Sequence, residues 1–286
     1  MAEPIRIESK LTGVPGSPIS LSITDRDIRH YAAAIGDMNP LYFDSPNTLA
    51  PPSFAAALEH GVDLAFSPAF SSLSPDVWNR GTHFSEYIHW YSHLYADDKG
   101  QDLLIYPSFQ ALVPRPGGCV AICRCDVVSK DKTRVCSEYH GRYLRGVQLD
   151  EIHGTEPIIP VYYAKVPLWQ KSLHISAQQG YLYEAAIPLK SPFRNTVHEP
   201  GQAIPGSCLL ALCVRELTRH HLQGKANTIE IINGKFHKAA YADERVILQL
   251  FGKKKIHQSM ELFFRLINKQ EDVILSHGYI KSHISD

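Results

Sequence analysis

The sequence predicts an α+β fold of two tandem units, each an antiparallel sheet wrapped around a long central helix. Three observations support this prediction. Residues 206–222 form a strongly apolar helical segment followed by strand-like runs, residues 53–60 begin an Ala-rich helix that also precedes such runs, and short motifs recur in both halves. A long apolar helix must be buried, and a surrounding sheet is the element available to bury it.

The first half opens with a helix signal at residues 23–35. Thr24 or Asp25 can cap its first turn. Apolar side chains then recur at helical spacing, at Ile28, Tyr31, Ala32 and Ile35. Gly36 ends the helix, and a turn with Asp37, Asn39, Pro40 and Tyr42 follows. Such a turn is either an ordinary helix end with an Asx turn or part of a site.

Strand-like runs complete the first half, at residues 84–95, 102–113, 119–128 and 134–145. Residues 114–118 form a turn, and residues 129–133 join the last two runs as a hairpin. Residues 148–160 are polar and contain two prolines and a glycine. We therefore expect a first domain at 1–147, a linker at 148–165 and a second domain at 166–286.

The second half repeats this order. The segment 206–222 is the strongest helix signal in the chain, apolar for two turns and charged afterwards. Four strand-like runs follow, at residues 229–236, 246–251, 257–267 and 273–280. These elements predict a second unit of the same kind as the first.

Composition excludes several classes of protein. The 29 basic residues are balanced by 29 acidic ones, so a nucleic-acid partner is not expected. No apolar run approaches 18 residues, and the N-terminus lacks a signal-peptide pattern, which predicts a cytoplasmic protein without a membrane span. The six cysteines are expected to be small buried hydrophobes in a reducing compartment. A metal site at Cys123 and Cys125 is the alternative.

Paired motifs indicate an internal duplication. YADD at 95–98 and YADE at 241–244 each precede a strand, and His-Gly pairs at 140–141 and 277–278 lie in the last strand of each half. A third pair is NPLY at 39–42 and NTVH at 195–198. A short loop separates the first from Pro52 and the second from Pro205, and a helix follows each proline. The repeat unit spans roughly 130 residues. A sheet around a central helix is the hotdog arrangement, and two copies would pair their sheets edge to edge.

The first half resembles the MaoC-like acyl-thioester dehydratases and hydratases, in particular the N-terminal module of their two-hotdog members. The residues that carry the resemblance are Tyr31, Gly36, Asp37, Asn39, Pro40, Leu41, Tyr42, Asp44, residues 50–54, His83, Glu86 and the hairpin at 119–145. The second half resembles the partner module more faintly, through Asn195, His198, Pro205 and Gly206. The resemblance implies an acyl-CoA or acyl-carrier-protein substrate, and we expect no cofactor.

The family's hydratase motif contains an aspartate and, five residues later, a histidine. In the first half Asp37 is followed by Tyr42 at the histidine position, and in the second half Phe193 stands at the aspartate position before His198. The resemblance therefore implies a substrate-holding first half and a catalytic second half. The acyl-carrier-protein dehydratases have a similar motif, one residue longer, and their helix acid would fall near Ala211. The resemblance to either family implies that His198 is the catalytic histidine.

These considerations give a set of candidate site residues. The catalytic candidates are His198 as acid/base, Glu199 as a replacement carboxylate and Asp37. The substrate-binding candidates are Asn195, the first-turn N–H groups of Gly206 and Ser207, Asn39 and Tyr42. Asp37 has an alternative role as a helix-terminal cap. The histidines His60, His83 and His89 are interpreted as structural, and no metal site is expected.

The predicted activity is that of a hydro-lyase acting on 2-enoyl or 3-hydroxyacyl thioesters. Two alternatives stay open, a non-catalytic thioester-binding protein and a thioesterase or isomerase that uses the same pocket, because fold does not determine function. A homodimer is an open alternative to a monomer.

Overall fold

The computed structural model describes residues 5–6, 12–43, 47–58, 81–149, 151–189 and 201–284. Up to residue 154 the strands are β1 (Ile5–Arg6), β2 (Ile19–Ile23), β3 (Thr48–Leu49), β4 (Thr82–Trp90), β5 (Tyr95–Ala96), β6 (Gln101–Arg115), β7 (Gly118–Ser129), β8 (Arg134–Arg145), β9 (Val147–Gln148) and β10 (His153–Gly154). Among the described residues of this part, the helices are α1 (Asp25–Ala34) and α2 (Ala55–Leu58).

The remainder of the described chain repeats strands after helices. Its strands are β11 (Trp169–His174), β12 (Ile229–Phe236), β13 (Arg245–Ile256), β14 (Ser259–Ile267) and β15 (Val273–His283), and its helices are α3 (Gln179–Ala185) and α4 (Gly206–His221). Short 3-10 turns cover Pro40–Tyr42, Pro52–Phe54 and Ala226–Thr228. The mixed α+β composition agrees with the sequence prediction.

Helix α1 begins at a capping box. The Thr24 hydroxyl accepts the Asp27 N–H at 3.4 Å, and the Asp27 carboxylate accepts the Thr24 N–H at 2.9 Å. The predicted apolar face is buried, with Tyr31 fully inaccessible. Gly36 follows the helix at φ +63°, a left-handed conformation that favours glycine and ends the helix as predicted.

One eleven-stranded antiparallel sheet contains the long strands of both halves. Its order is β10-β6-β7-β8-β4-β12-β15-β14-β13-β11, and β2 also pairs with β6. The halves meet where β4 pairs with β12, in a register that sets Glu86 opposite Gly234 and Ile88 opposite Ile232. The predicted edge-to-edge pairing of two sheets is confirmed.

Most of the predicted strand bounds lie close to the observed ones. The segment predicted at 246–251 is longer in the structure, because β13 continues through the lysine run to Ile256. Lys254 pairs with Glu261 across the ladder, and its ammonium lies over the rings of Tyr162 and Phe263. Charged side chains on an exposed strand face therefore do not end the strand.

Helix α4 lies in the hydrophobic core. Leu209, Leu210 and Leu217 are buried and belong to one cluster with Ile88 of β4 and Ile232 of β12. In the first half, α2 is also buried, and residues 59–80 lie outside the described residues, so the length of the first unit's helix stays a prediction. The proposed domain limits also remain predictions.

The cysteines and the helices bear on two further predictions. All six cysteines are buried thiols, which confirms their predicted burial. Burial raises the pKa of the Cys119 thiol to about 11. None of the described helices combines the length and apolarity needed to span a bilayer.

Candidate active site

Two clefts lie along α4, one near each end. The Gly206 cleft has a volume of about 630 Å³ and lies at the N-terminus of α4, where its walls include His83, Phe84, Tyr143, Pro205, Gly206 and Phe236. The Asp37 cleft has a volume of about 680 Å³ and lies at the other end, where its walls include Gly36, Asp37, Asn39, Arg215, Arg219 and Gly224. Both are formed by residues of the two halves together.

The Gly206 cleft opens on the first turn of a helix. Pro205 is the N-cap of α4 and makes no side-chain capping hydrogen bond. The first-turn N–H groups have no partner within the helix and carry the positive end of its dipole. Gly206 lines the cleft, whereas the Ser207 side chain is buried beside Tyr183. This position suits a group that acquires negative charge.

Gly206 is also a point of close approach between the two halves in this cleft. A Cβ atom at Gly206 would lie 2.9 Å from Nδ1 of His83 and 3.1 Å from the ring of Phe236. Real Cβ contacts are longer than this. A glycine therefore allows the imidazole of the first half to reach the start of the helix of the second half.

His83 belongs to a buried cluster with Glu86 and His140. Nε2 of His83 lies 3.1 Å from Oε2 of Glu86, and Nδ1 of His140 lies 3.7 Å from the same oxygen. The rings of His83 and His140 stack with centroids 4.2 Å apart and planes at 27°. The register explains the cluster, since β4 pairs Glu86 with His140 on β8 and is irregular between His83 and Ser85.

Glu86 is a carboxylate with no exposed surface. Burial by itself raises its pKa, but the close imidazoles of His140 and His83 outweigh burial and hold the pKa well below its usual range. Glu86 is therefore ionised at neutral pH.

The same three side chains come within 4.8 Å of one another, the spacing of a set of metal ligands. Their ring geometry argues against a metal, because the lone pairs of stacked imidazoles lie in nearly parallel planes and do not converge on one point. An ionised carboxylate that lies close to two imidazoles accounts for the cluster.

The Asp37 cleft contains a second buried carboxylate. Burial raises the pKa of Asp37 to about 6, although the Asn39 N–H and the charge of Arg215 act in the opposite direction. Arg215 donates to the carbonyl of Ile35 at 2.5 Å and pairs with Glu216 at 2.7 Å. The predicted turn after α1 is thus attached to the C-terminal half of α4.

Asn39 and Tyr42 lie beside Asp37. The Asn39 amide donates to the carbonyl of Gly224 at 2.6 Å and its oxygen accepts the Leu41 N–H, so it connects the turn to the second half. Tyr42 is fully buried, and its pKa is raised well above the usual value by burial and by Asp37. The tyrosine is thus next to the aspartate, at the place where the family motif has a histidine.

The structure does not bring all the candidate residues together. Gly206 and Arg215 are separated by about 13 Å along α4 at 1.5 Å per residue, so Asp37 and Gly206 belong to different clefts. Asn195, His198 and Glu199 lie outside the described residues, as do Phe193 and His60. Their roles remain predictions.

Sequence reasoning assigned His83 a structural role and gave no chemical role to Glu86 or His140. The structure places His83 on the cleft wall, with its side chain 20% exposed and in contact with Glu86. The sequence contained one indication of a role for His140, because this residue belongs to the repeated His-Gly pair. Its partner Glu86 stands on a strand that is distant in sequence.

Comparison with known proteins supports the resemblance inferred from the sequence. Residues 10–109 match the family model of the FAS1-like dehydratase domain region. The MaoC-like dehydratase of Phytophthora capsici superposes with a TM-score of 0.79 at 16% identity, over 98% of this chain and 99% of that one. The MaoC-like resemblance is confirmed.

Two further structures agree with the fold. A Mycobacterium tuberculosis protein described as a double hotdog gives a TM-score of 0.62 at 11% identity, over 96% of each chain. The peroxisomal multifunctional enzyme type 2 of Drosophila melanogaster gives 0.69 at 15% identity, over 94% of this chain and 48% of that one. The fold is a double hotdog. No curated protein matches the chain by sequence.

Proposed function

We propose that the protein is an acyl-thioester hydratase or dehydratase, which adds water to a 2-enoyl thioester or removes it from a 3-hydroxyacyl thioester. The observation that carries this proposal is the Gly206 cleft, an opening between the halves of a double hotdog at the first-turn amides of a buried helix. The match of residues 10–109 to a dehydratase domain region supports the same reaction class.

The helix start supplies the electrostatic part of the reaction. Removal of the α-proton of a thioester makes its carbonyl oxygen enolate-like, and an N–H group at the first turn of α4 stabilises that charge. Gly206 lines the cleft and is the proposed donor, with the Ser207 N–H beside it in the chain. Water is expelled as the acyl chain fills the cleft, which strengthens this interaction.

His198 is the proposed acid/base group. It stands three residues before Gly201 in the sequence, and residues 201–205 lead directly into the wall of the Gly206 cleft. In dehydration a base takes the α-proton and an acid gives a proton to the departing β-hydroxyl, which leaves as water. Glu199 is the proposed carboxylate partner, and Asn195 the proposed group that orients the thioester.

The first half is proposed to hold the substrate, with Asp37, Asn39 and Tyr42 as its residues. Tyr42 stands at the position of the motif's histidine, five residues after Asp37, which supports a binding role over a catalytic one. We further propose a first domain that ends at residue 147 and a second that begins at residue 166. The proposed substrate is a CoA or carrier-protein thioester. The proposed location is cytoplasmic, and the proposed assembly is a homodimer.

The alternatives make different products. Incubation of the purified protein with short and medium 2-enoyl-CoAs, followed by mass spectrometry, distinguishes them. The proposal expects the 3-hydroxyacyl-CoA, one water heavier. Free CoA would indicate a thioesterase, a shifted double bond an isomerase, and binding without a product a non-catalytic module.

A further inference from the structure

The wall of the Gly206 cleft contains a histidine, His83, that lies outside the family's aspartate–histidine motif. His83 stands on β4 of the first half, and its side chain is 20% exposed toward the cleft. Its neighbours Glu86 and His140 are buried behind it. The exposure of one ring on a buried ionic cluster distinguishes this site from an ordinary core histidine.

The contacts of His83 define the state of its ring. Nε2 lies 3.1 Å from Oε2 of Glu86 and 3.2 Å from the carbonyl oxygen of Ser85. Both are acceptors, because Glu86 is ionised, so the hydrogen of the neutral ring is on Nε2. The lone pair is then on Nδ1, the atom that faces Gly206. The Ser85 carbonyl and the Glu86 carboxylate thus fix the orientation of the imidazole and its tautomer.

The position of Nδ1 matters for chemistry at a thioester. A Cβ at Gly206 would lie only 2.9 Å from it, so Nδ1 is at the start of α4. A thioester whose carbonyl oxygen is held by the first-turn N–H groups has its α-carbon two bonds from that oxygen. The imidazole is thus within reach of the carbon whose proton moves in hydration and dehydration.

We propose that His83 is a catalytic acid/base residue of the Gly206 cleft and that Glu86 and His140 are its positioning residues. This inference rests on the proposed hydratase function. It supplies the proton-transfer group that is missing at Phe193, because the first half contributes an imidazole with its own carboxylate. In dehydration Nδ1 takes the α-proton, while the acid of the proposed hydratase reaction gives a proton to the β-hydroxyl, which leaves as water as its C–O bond breaks; in hydration both transfers run in reverse.

Turnover tests the role of His83 directly. His83→Asn and His83→Ala are compared with wild type in 2-enoyl-CoA hydration, and His174→Ala serves as the control, since His174 is 51% exposed on β11 away from the cleft. We expect kcat to fall at least about 100-fold with a small change in KM. Added imidazole should restore part of the rate of His83→Ala only.

Glu86→Gln tests positioning. We expect about a 10-fold loss in kcat and a mixed tautomer of His83, which ¹⁵N NMR of the labelled protein reports. A purely structural Glu86 would lower stability without moving the tautomer signals. His83→Asn also assigns the NMR signals of His83.

The same spectra, recorded during titration with the saturated thioester butyryl-CoA, separate the two proposals. Active wild type with less than a 2-fold effect of His83→Asn would overturn the role of His83 and leave the hydratase function intact. Inactive wild type whose His83 signals shift with butyryl-CoA would support the contact with the thioester and overturn the hydratase function. Neither activity nor a shift would overturn both.

Discussion

Oε2 of Glu86, on a side chain with no exposed surface, lies 3.1 Å from Nε2 of His83 on the wall of the Gly206 cleft. An ionised carboxylate in the core is stable only with such partners. This contact therefore connects the stability of the β4–β8 ladder to the chemistry of the cleft. Its removal should be visible in both.

Glu86→Gln should lower stability at neutral pH by about 3 kcal/mol, because the pair with the two histidines is lost. The folded pKa of Glu86 lies below its unfolded value of about 4.3, so the stabilisation by ionised Glu86 is present above pH ~4.3 and is lost as pH falls below it.

Urea unfolding between pH 2 and 7 measures this loss of stability. Below pH ~4.3 the free energy of unfolding should fall less steeply with pH in Glu86→Gln than in wild type. Glu151→Gln, at a side chain 77% exposed, should match wild type. Identical slopes for wild type and Glu86→Gln would contradict the buried ion pair.

Asp37→Asn should have the opposite effect on stability. Burial raises the folded pKa of Asp37 to about 6, above the unfolded value of about 3.9, so the folded state loses stability as pH rises through this window. At pH 8 the amide should be more stable than wild type by about 3 kcal/mol, and below pH ~4 the two should agree. Thermal unfolding at both pH values measures the difference.

The control is Asp243→Asn, at a side chain that is 71% exposed. A gain in stability for Asp37→Asn that is equal at both pH values would refute the raised pKa of Asp37.

Gly206→Ala should displace His83, since the new Cβ would lie 2.9 Å from Nδ1 and 3.1 Å from Phe236. Overpacking should cost about 1 kcal/mol after the helix preference for Ala is subtracted, and hydration should fall at least about 10-fold. The effect of the same substitution in a His83→Ala background is the matched comparison. The stability cost should shrink there because one of the two close contacts is gone. Additive costs would show that His83 is not the group displaced.

Local signals in the sequence predict the local structure well. The Thr24 cap, the apolar face of α1 and the left-handed Gly36 follow from side-chain chemistry within one or two turns. The joining of the two sheets was predictable from the repeat, because two similar units bury more surface when their sheets pair edge to edge. The extension of β13 was missed, since a lysine run was read as a strand end.

The chemistry of the cleft could not be predicted in the same way. His83, Glu86 and His140 meet through the pairing of β4 with β8, two strands that three others separate in sequence, and through an irregularity of register in β4. The Asp37 cleft likewise needs Arg215, far along the chain, to close it. Non-local pairing of this kind leaves no periodic trace in the sequence.

The proposed acid/base role of His198 and the hydratase function are tested together by kcat/KM for hydration of a short 2-enoyl-CoA, measured from the loss of its conjugated absorbance. Wild type should add water, His198→Ala should be slower by at least about 100-fold, and His30→Ala, at an exposed position of α1, should match wild type. No hydration by wild type, or an unchanged rate in His198→Ala, would contradict the account.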